Sequence, residues 1–310
     1  LKKIIHTYVN QRKADIGARK NWFTFNNKKE PSIEKHQLIG MLLSAHFAKK
    51  HYKNITLYST LDIINLVSEI GIPYTGFVKL DNNIKSTFGP FSLGKMLVYQ
   101  MQDKPFIHID YDTFLVNKLN EKIASKPFAF SHEDLKGFDH SIKTIRGLVP
   151  AYIDWLNLFD DDVPEWWCEG EFITIDEIPN MNVTSINDIE TFKKVAIEPI
   201  LEHYYENRET WDQGNNACVL EQLLTYAHLK NSGYKVDYFL PKNPTLLSYG
   251  PEGAKNYKEP FNEETFLTHK SYHHVFSHHL CSGLIQQILT GVAKKLGYSK
   301  QIDKIELLFN

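Results

Sequence analysis

Cysteine is scarce: Cys168, Cys218 and Cys281 are the three in 310 residues. Far apart, odd in number and without paired spacing, they argue against a disulfide framework and a cysteine-built structural zinc site, and a reducing compartment is the simplest reading. Long hydrophobic runs are missing too. The stretch Leu61 to Ile72 is short and interrupted by charge, so no transmembrane segment is expected. The chain runs straight into Ile4-Ile5-His6-Thr7-Tyr8-Val9 with no basic-plus-apolar leader, so no signal peptide and a cytoplasmic location are expected. Nor is there an excess of one charge: 35 basic against 37 acidic residues give a net charge of −2, which leaves no global field to draw nucleic acid. No internal repeat or low-complexity tract is found. What is present is an ordinary globular composition, 42% hydrophobic and 23% charged, sufficient to bury a full core.

The first half alternates β-branched runs with runs of helical period, the order of an α/β protein with a parallel sheet and helical crossovers. Ile4 to Val9 reads as a strand, and Ser32 as the cap of a helix carrying Ile33, Leu38, Leu42, Leu43 and Phe47. Asn54 to Ser59 reads as a second strand. Leu61 to Ile70 reads as a helix that Gly71 and Pro73 stop. Tyr74 to Leu80 is extended, Phe91 to Gln102 is a helix behind Pro90, and Phe106 to Asp110 is a strand apolar enough for mid-sheet. Past Phe130 the pattern loosens into an aromatic and acidic insertion or lid. Helices are expected from Asp188 to about Tyr205 and from Asn216 to Lys230, with a returning strand at Tyr234 to Leu240. Pro241 to about Phe266 reads as loop, and a helix from about Cys281 to Leu296 closes the chain.

The chemistry gathers where the Phe106–Asp110 run gives out. Residues two apart on an extended strand point the same way, so Asp110 and Asp112 are expected to present both carboxylates to one side. Open α/β sheets bind ligands in the crevice at the carboxyl ends of their strands, and two carboxylates there need a positive charge to relieve their repulsion. A hard divalent cation, Mn²⁺ or Mg²⁺, prefers oxygen ligands and shares its remaining positions with phosphates. An Asp-x-Asp triplet alone is a weak signal, since two acids near a loop are usually just solvated; the apolar strand running into it supplies the context.

The stretch Gly94-Lys95, followed by Gln102 through Leu115 with Asp110-Tyr111-Asp112 at its centre, resembles the Asp-x-Asp region of glycosyltransferases with the GT-A fold. It most resembles a group of uncharacterised bacterial proteins of about this length, common in Bacteroidetes, of the DUF6734 type. The resemblance implies a GT-A-like, Rossmann-like α/β fold: a mixed, mostly parallel sheet flanked by helices, with a helical C-terminal part. It implies a single domain over residues 1–310, with 1–130 the nucleotide-sugar-binding half and 131–310 the acceptor side and C-terminal half. It further implies a nucleotide-diphosphate sugar donor, a metal bound by the triplet, and transfer to an unidentified acceptor: a glycan, a lipid-linked group, a peptide or a small molecule. Residue by residue, Asp110 matches the acid near ribose and metal, Asp112 the direct metal ligand, Lys95 a basic position facing phosphate, and Thr7, Tyr8 and Val9 the cradle of the base. Tyr111, within the triplet, is grouped with the nucleotide-sugar-binding residues.

Several further positions carry a functional and a plain reading side by side. Pro179 to Asp188 resembles an Asn-containing loop that faces the sugars, with Asn182 its binding residue, although Ser185 and Ile186 stand where paired glycines are usual. The plain reading is an Asx turn with Asp188 capping the next helix; the functional one makes Asp188 an acid that activates the acceptor hydroxyl. Glu221-Gln222 resembles a Glu-Gln pair of such transferases, with Gln222 binding donor and Glu221 a half-buried general base, against a plain helix-surface glutamate. Five histidines fall between His269 and His279. His274 and His278 are four apart, on one face if that stretch is helical, and are the candidates to complete the metal shell; His273 and His279 are the alternative, and an all-histidine zinc site is another. Trp155, Trp166 and Trp167 among carboxylates have the composition of a sugar-binding surface, while tryptophans are more often core. The rival functions are a nucleotidyltransferase, for which Asn10 to Gly17 is basic but has one glycine, a non-catalytic nucleotide- or carbohydrate-binding protein, and a zinc hydrolase.

Overall fold

A computed structural model of the chain describes residues 2–9, 33–80, 93–134, 178–206, 221–222, 224–240, 263–268, 273–274 and 283–309. The chain divides into two compact units, each discontinuous in sequence. The first takes 1–87, 106–121 and 245–310, and the second 88–105 and 122–244.

The first unit is built on four parallel strands: β1 (Lys3–Tyr8), β2 (Ile55–Ser59), β3 (Gly76–Lys79) and β4 (Phe106–Ile109). β1 pairs with β2 on one side and β4 on the other, and β2 pairs outward with β3. Every residue of β2 and β4 is buried, as a parallel sheet covered on both faces requires, whereas β3 at the edge alternates between half-buried and exposed. The crossover helices are α1 (Lys35–His51) and α2 (Leu61–Ile70). Helix α1 starts behind Glu34, not at the expected Ser32, which lies outside the described residues; the Glu34 N–H donates to Gln37 Oε1 at 2.9 Å, closing the first turn. Helix α2 spans the residues expected of it. Gly71 ends it with φ +87°, a left-handed conformation that lets its N–H reach Val67 O, and an alanine there is strained.

The second unit contains α3 (Leu93–Gln100), the short α4 (Glu121–Ala124, which begins at the unit boundary), and an antiparallel pair, β6 (Phe128–Asp134) with β7 (Ile178–Ile186), which shifts register between Phe130 and His132. A two-residue strand β8 (Asp237–Tyr238) runs parallel to β6. Helix α5 (Ile189–Phe192) continues through a π-helical turn (Lys193–Ile197) into α6 (Glu198–Glu206), and α7 (Leu224–Asn231) follows later. Phe128, Phe130, Phe192 and Tyr99 are fully buried in this unit, each such ring removing apolar area worth about 1.5–3 kcal/mol from water.

The remaining elements belong to the first unit: β5 (Thr113–Phe114), α8 (Glu263–Thr268), β9 (His273–His274), α9 (Gly283–Lys295) and α10 (Ser299–Phe309). Helix α1 packs on α9 and α10. The strands are thus mixed and mostly parallel, flanked by helices with further helices toward the C-terminus, in agreement with the α/β class expected.

Several expectations need correction. The segment read as an Asn-containing loop is strand β7. The helix at 283–295 does not close the chain, because α10 follows; Ile302 and Ile305 bury its apolar face. The loop expected to run on to Phe266 gives way to helix α8 at Glu263. His273 and His274 are extended, so no helical face joins His274 to His278, which lies outside the described residues. Trp155, Trp166, Trp167 and the basic segment 10–17 also lie outside them.

Candidate functional site

The chain leaves β1 for β2 and β3 on one side, then returns as β4 on the other. The crossovers therefore part at the carboxyl ends of β1 and β4, and such a switch point opens the crevice where α/β sheets take ligands. Thr7 and Tyr8 end one strand there with Val9 just after it, and Asp110, Tyr111 and Asp112 follow the other.

The triplet is not an extension of β4, as the sequence reading has it. Strand geometry stops at Ile109, and the Thr113 N–H donates to Asp110 O at 3.0 Å, closing a tight turn over 110–113. Helix α1 holds this turn through Ser44, a buried residue whose hydroxyl lies 2.6 Å from Thr113 O and 3.3 Å from Asp110 O. The shorter contact takes its single proton. Both carboxylates thus emerge from one turn rather than from alternate strand positions. Asp112 is buried at 7% exposure and the Asp110 side chain is 19% exposed.

A polar and aromatic network lies beside the turn. The Tyr8 phenol donates to Gln37 Oε1 at 2.8 Å, Gln37 Nε2 lies 3.5 Å from the Tyr111 hydroxyl, and the two tyrosine rings meet edge to face with centroids 5.7 Å apart. Burial, then the proximity of Tyr111, Glu34 and Asp62, holds the Tyr8 phenol well above its ordinary pKa, so it remains a donor. Ser59 Oγ donates to Tyr8 O at 2.5 Å, tying the end of β2 to that of β1. On β4 the buried ring of His108 lies with Nε2 3.2 Å from Thr7 Oγ1 and Nδ1 3.7 Å from Asp110 Oδ1. Sequence reasoning passed over His108, Gln37 and Ser44, because each reads locally as part of an apolar strand or helix.

Strand β9 pairs antiparallel with β5, setting His274 opposite Thr113 and His273 opposite Phe114. The backbone of His274 thereby lies across from the residue that follows Asp112. Among the described residues no group of three or more His, Cys, Asp and Glu side chains converges as a metal cage. Two carboxylates from one turn are hard-oxygen donors, and in that donor chemistry they fit a hard divalent cation such as Mn²⁺ or Mg²⁺.

The remaining candidates belong to the second unit. Lys95 on α3 and Glu221 are joined by an ion pair of 2.8 Å, with side chains 12% and 3% exposed. Glu221 is therefore buried, not half-buried at a helix flank, and its Oε1 is engaged by the Lys95 ammonium. Gln222 follows it on a π-helical backbone and is partly exposed. Asn182 is buried within β7, its N–H bonded to Asn180 Oδ1 at 3.1 Å. Asp188 is the N-cap of α5, accepting from the Thr191 N–H at 3.2 Å.

No helix among the described residues is long and apolar enough to cross a membrane. A search of curated proteins finds no sequence match. Among solved structures the chain is similar to the galactosyltransferase LgtC in complex with donor and acceptor sugar analogues, at 9% identity and a TM-score of 0.47 over 94% of this chain and 95% of that one. An active-site mutant of LgtC gives a TM-score of 0.49 at 9% identity, over 94% and 95% of the two chains. Mouse xyloside xylosyltransferase 1 gives 0.45 at 9% identity over 90% and 98%. Likenesses of this size carry no argument about activity. The family model described as a family of unknown function, DUF6734, matches residues 3–297, and the chain is a member of that family.

Proposed function

We propose that this protein is a metal-dependent glycosyltransferase that moves a sugar from a nucleotide-diphosphate sugar to an acceptor. The observation that carries the reading is the coincidence of two carboxylates, Asp110 and Asp112, with the switch point between β1 and β4. In this reading Asp110 and Asp112 would hold Mn²⁺ or Mg²⁺, and His274, whose backbone lies opposite Thr113, would be the candidate for a further protein donor. When bound, the cation neutralises the diphosphate and stabilises it as leaving group. Tyr111, half-buried and held beside the buried Tyr8 by Gln37, offers its ring to the nucleoside, and the half-buried Val9 follows Tyr8 at the end of β1. Ser44 keeps the turn in one shape, so the carboxylates are positioned before ligand arrives.

Asp188 and Glu221 are the candidate acids for the acceptor proton; one oxygen of the first caps α5 and one oxygen of the second meets Lys95. The reading is tested by a thermal-shift panel of UDP-, GDP-, ADP- and dTDP-sugars with and without Mn²⁺. A ligand at 100 times its Kd stabilises the native state by about 2.7 kcal/mol. The expected result is a rise in Tm with at least one sugar nucleotide that needs Mn²⁺ and vanishes in Asp112→Ala. No rise anywhere in the panel, or an equal rise in that variant, contradicts it.

A further inference from the structure

We infer that His108 is a positioning residue for the Asp110 carboxylate, with its own ring fixed by the Thr7 hydroxyl. The inference deepens the function proposed above and rests on it. His108 is fully buried on β4, two residues before Asp110. Its two ring nitrogens meet different groups: Nε2 is 3.2 Å from Thr7 Oγ1 on β1, and Nδ1 is 3.7 Å from Asp110 Oδ1.

The chemistry of those two neighbours decides which nitrogen carries the hydrogen. An ionised carboxylate only accepts, so the nitrogen that faces it must bear the proton. Nδ1–H is therefore directed at Asp110, which leaves Nε2 bare to accept from the Thr7 hydroxyl, a group able to donate or accept as needed. The order Thr7 O–H to Nε2, then Nδ1–H toward Asp110, runs across the β1–β4 switch point. At 3.7 Å the second contact lies a few tenths of an ångström beyond hydrogen-bond length, so its role is electrostatic orientation of the carboxylate. Groups that orient metal-ligating side chains in this way typically change metal affinity about 10- to 100-fold when removed. Thr7 thus serves the nucleotide site through His108, and an apolar residue at 108 would fill the strand equally well while leaving Asp110 without its orienting donor.

Two amides separate this role from simple packing. In His108→Asn the side-chain NH₂ occupies the place of Nδ1 and keeps a donor toward Asp110; in His108→Gln the amide reaches instead toward the Nε2 position. Mn²⁺ is titrated by the loss of its free electron paramagnetic resonance signal, with saturating UDP, GDP, CDP or ADP, whichever stabilises the wild type most. The expected result is Mn²⁺ affinity within about 3-fold of wild type for Asn and a loss of about 10-fold or more for Gln, at matched Tm. Equal affinity in the two variants overturns the inference. Thr7→Val, which removes the hydroxyl and little volume, provides the second arm should either amide fail to fold: a several-fold loss of Mn²⁺ affinity supports the inference and an unchanged affinity overturns it. Asp112→Ala distinguishes the two levels of the argument. If it abolishes Mn²⁺ binding while the His108 and Thr7 variants bind as wild type, the positioning role alone falls; if it too binds as wild type, the proposed site falls with it.

Discussion

Replacing Lys95 by methionine keeps most of the side-chain volume and removes the ammonium that sits 2.8 Å from Glu221 Oε1. The glutamate side chain is 3% exposed and the lysine 12%, so solvent cannot take the place of the lost partner. Breaking a buried ion pair from one side leaves an uncompensated charge and costs about 3–5 kcal/mol. The slight exposure of Lys95 sets the expectation at the low end, about 3 kcal/mol. Changing both residues, Lys95→Met with Glu221→Met, removes the stranded charge, and at least half of the loss is expected to return, because apolar replacement of a whole buried pair is often neutral. The assay is urea unfolding followed together by tryptophan fluorescence and far-UV circular dichroism, with coincident transitions and an unchanged m-value as conditions for comparing free energies. A loss below about 1 kcal/mol in Lys95→Met, or a double variant no more stable than the single one, refutes the account of Glu221 as one half of a structural pair.

Asp188→Ala removes the cap of α5 and is expected to cost about 1 kcal/mol, with Asp188→Ser recovering most of it; equal stability of the two variants contradicts the cap. Burial lowers the pKa of His6 to about 3 and that of His36 to about 4. Both rings are neutral in the folded chain and protonate in the unfolded one below about 6.5, so their contribution is complete above that pH and is lost as pH falls toward 4. Each adds a slope of up to about 1.4 kcal/mol per pH unit in that window. Urea unfolding at pH 7 and pH 5 is expected to show the loss, and His6→Gln to flatten it by one histidine's share; an unchanged slope contradicts this assignment.

The parts of the fold legible in the sequence are those in which local pattern and tertiary demand agree. Helix α2 combines helical period with a glycine that takes the left-handed stop, and β2 and β4 are runs rich in β-branched or aromatic residues, buried on both faces. Strand β7 was hidden because Pro179, Asn180 and Asn182 are turn formers. Asn180 Oδ1 accepts from Asn182 N, and further along the strand Thr184 Oγ1 donates to Met181 O and Ser185 Oγ to Ala124 O. The shape of the Asp110–Asp112 turn was hidden for a different reason, since Ser44 comes from a helix far earlier in the chain. The same holds for His274, brought opposite Thr113 by a strand pair that no local spacing announces. The carboxylates and the residues ending β1 were readable as types in a pattern; the groups that orient them were not.

The most direct measurement of the central claim is release of nucleoside diphosphate from a sugar nucleotide, without added acceptor, by the wild type and by the variant carrying both Asp110→Ala and Asp112→Ala. The account predicts release that requires Mn²⁺ or Mg²⁺, stops with a chelator, and falls about 100-fold or more in the double variant, since the charge that stabilises the leaving diphosphate is lost. Turnover retained by a folded double variant, or release indifferent to the cation, contradicts it.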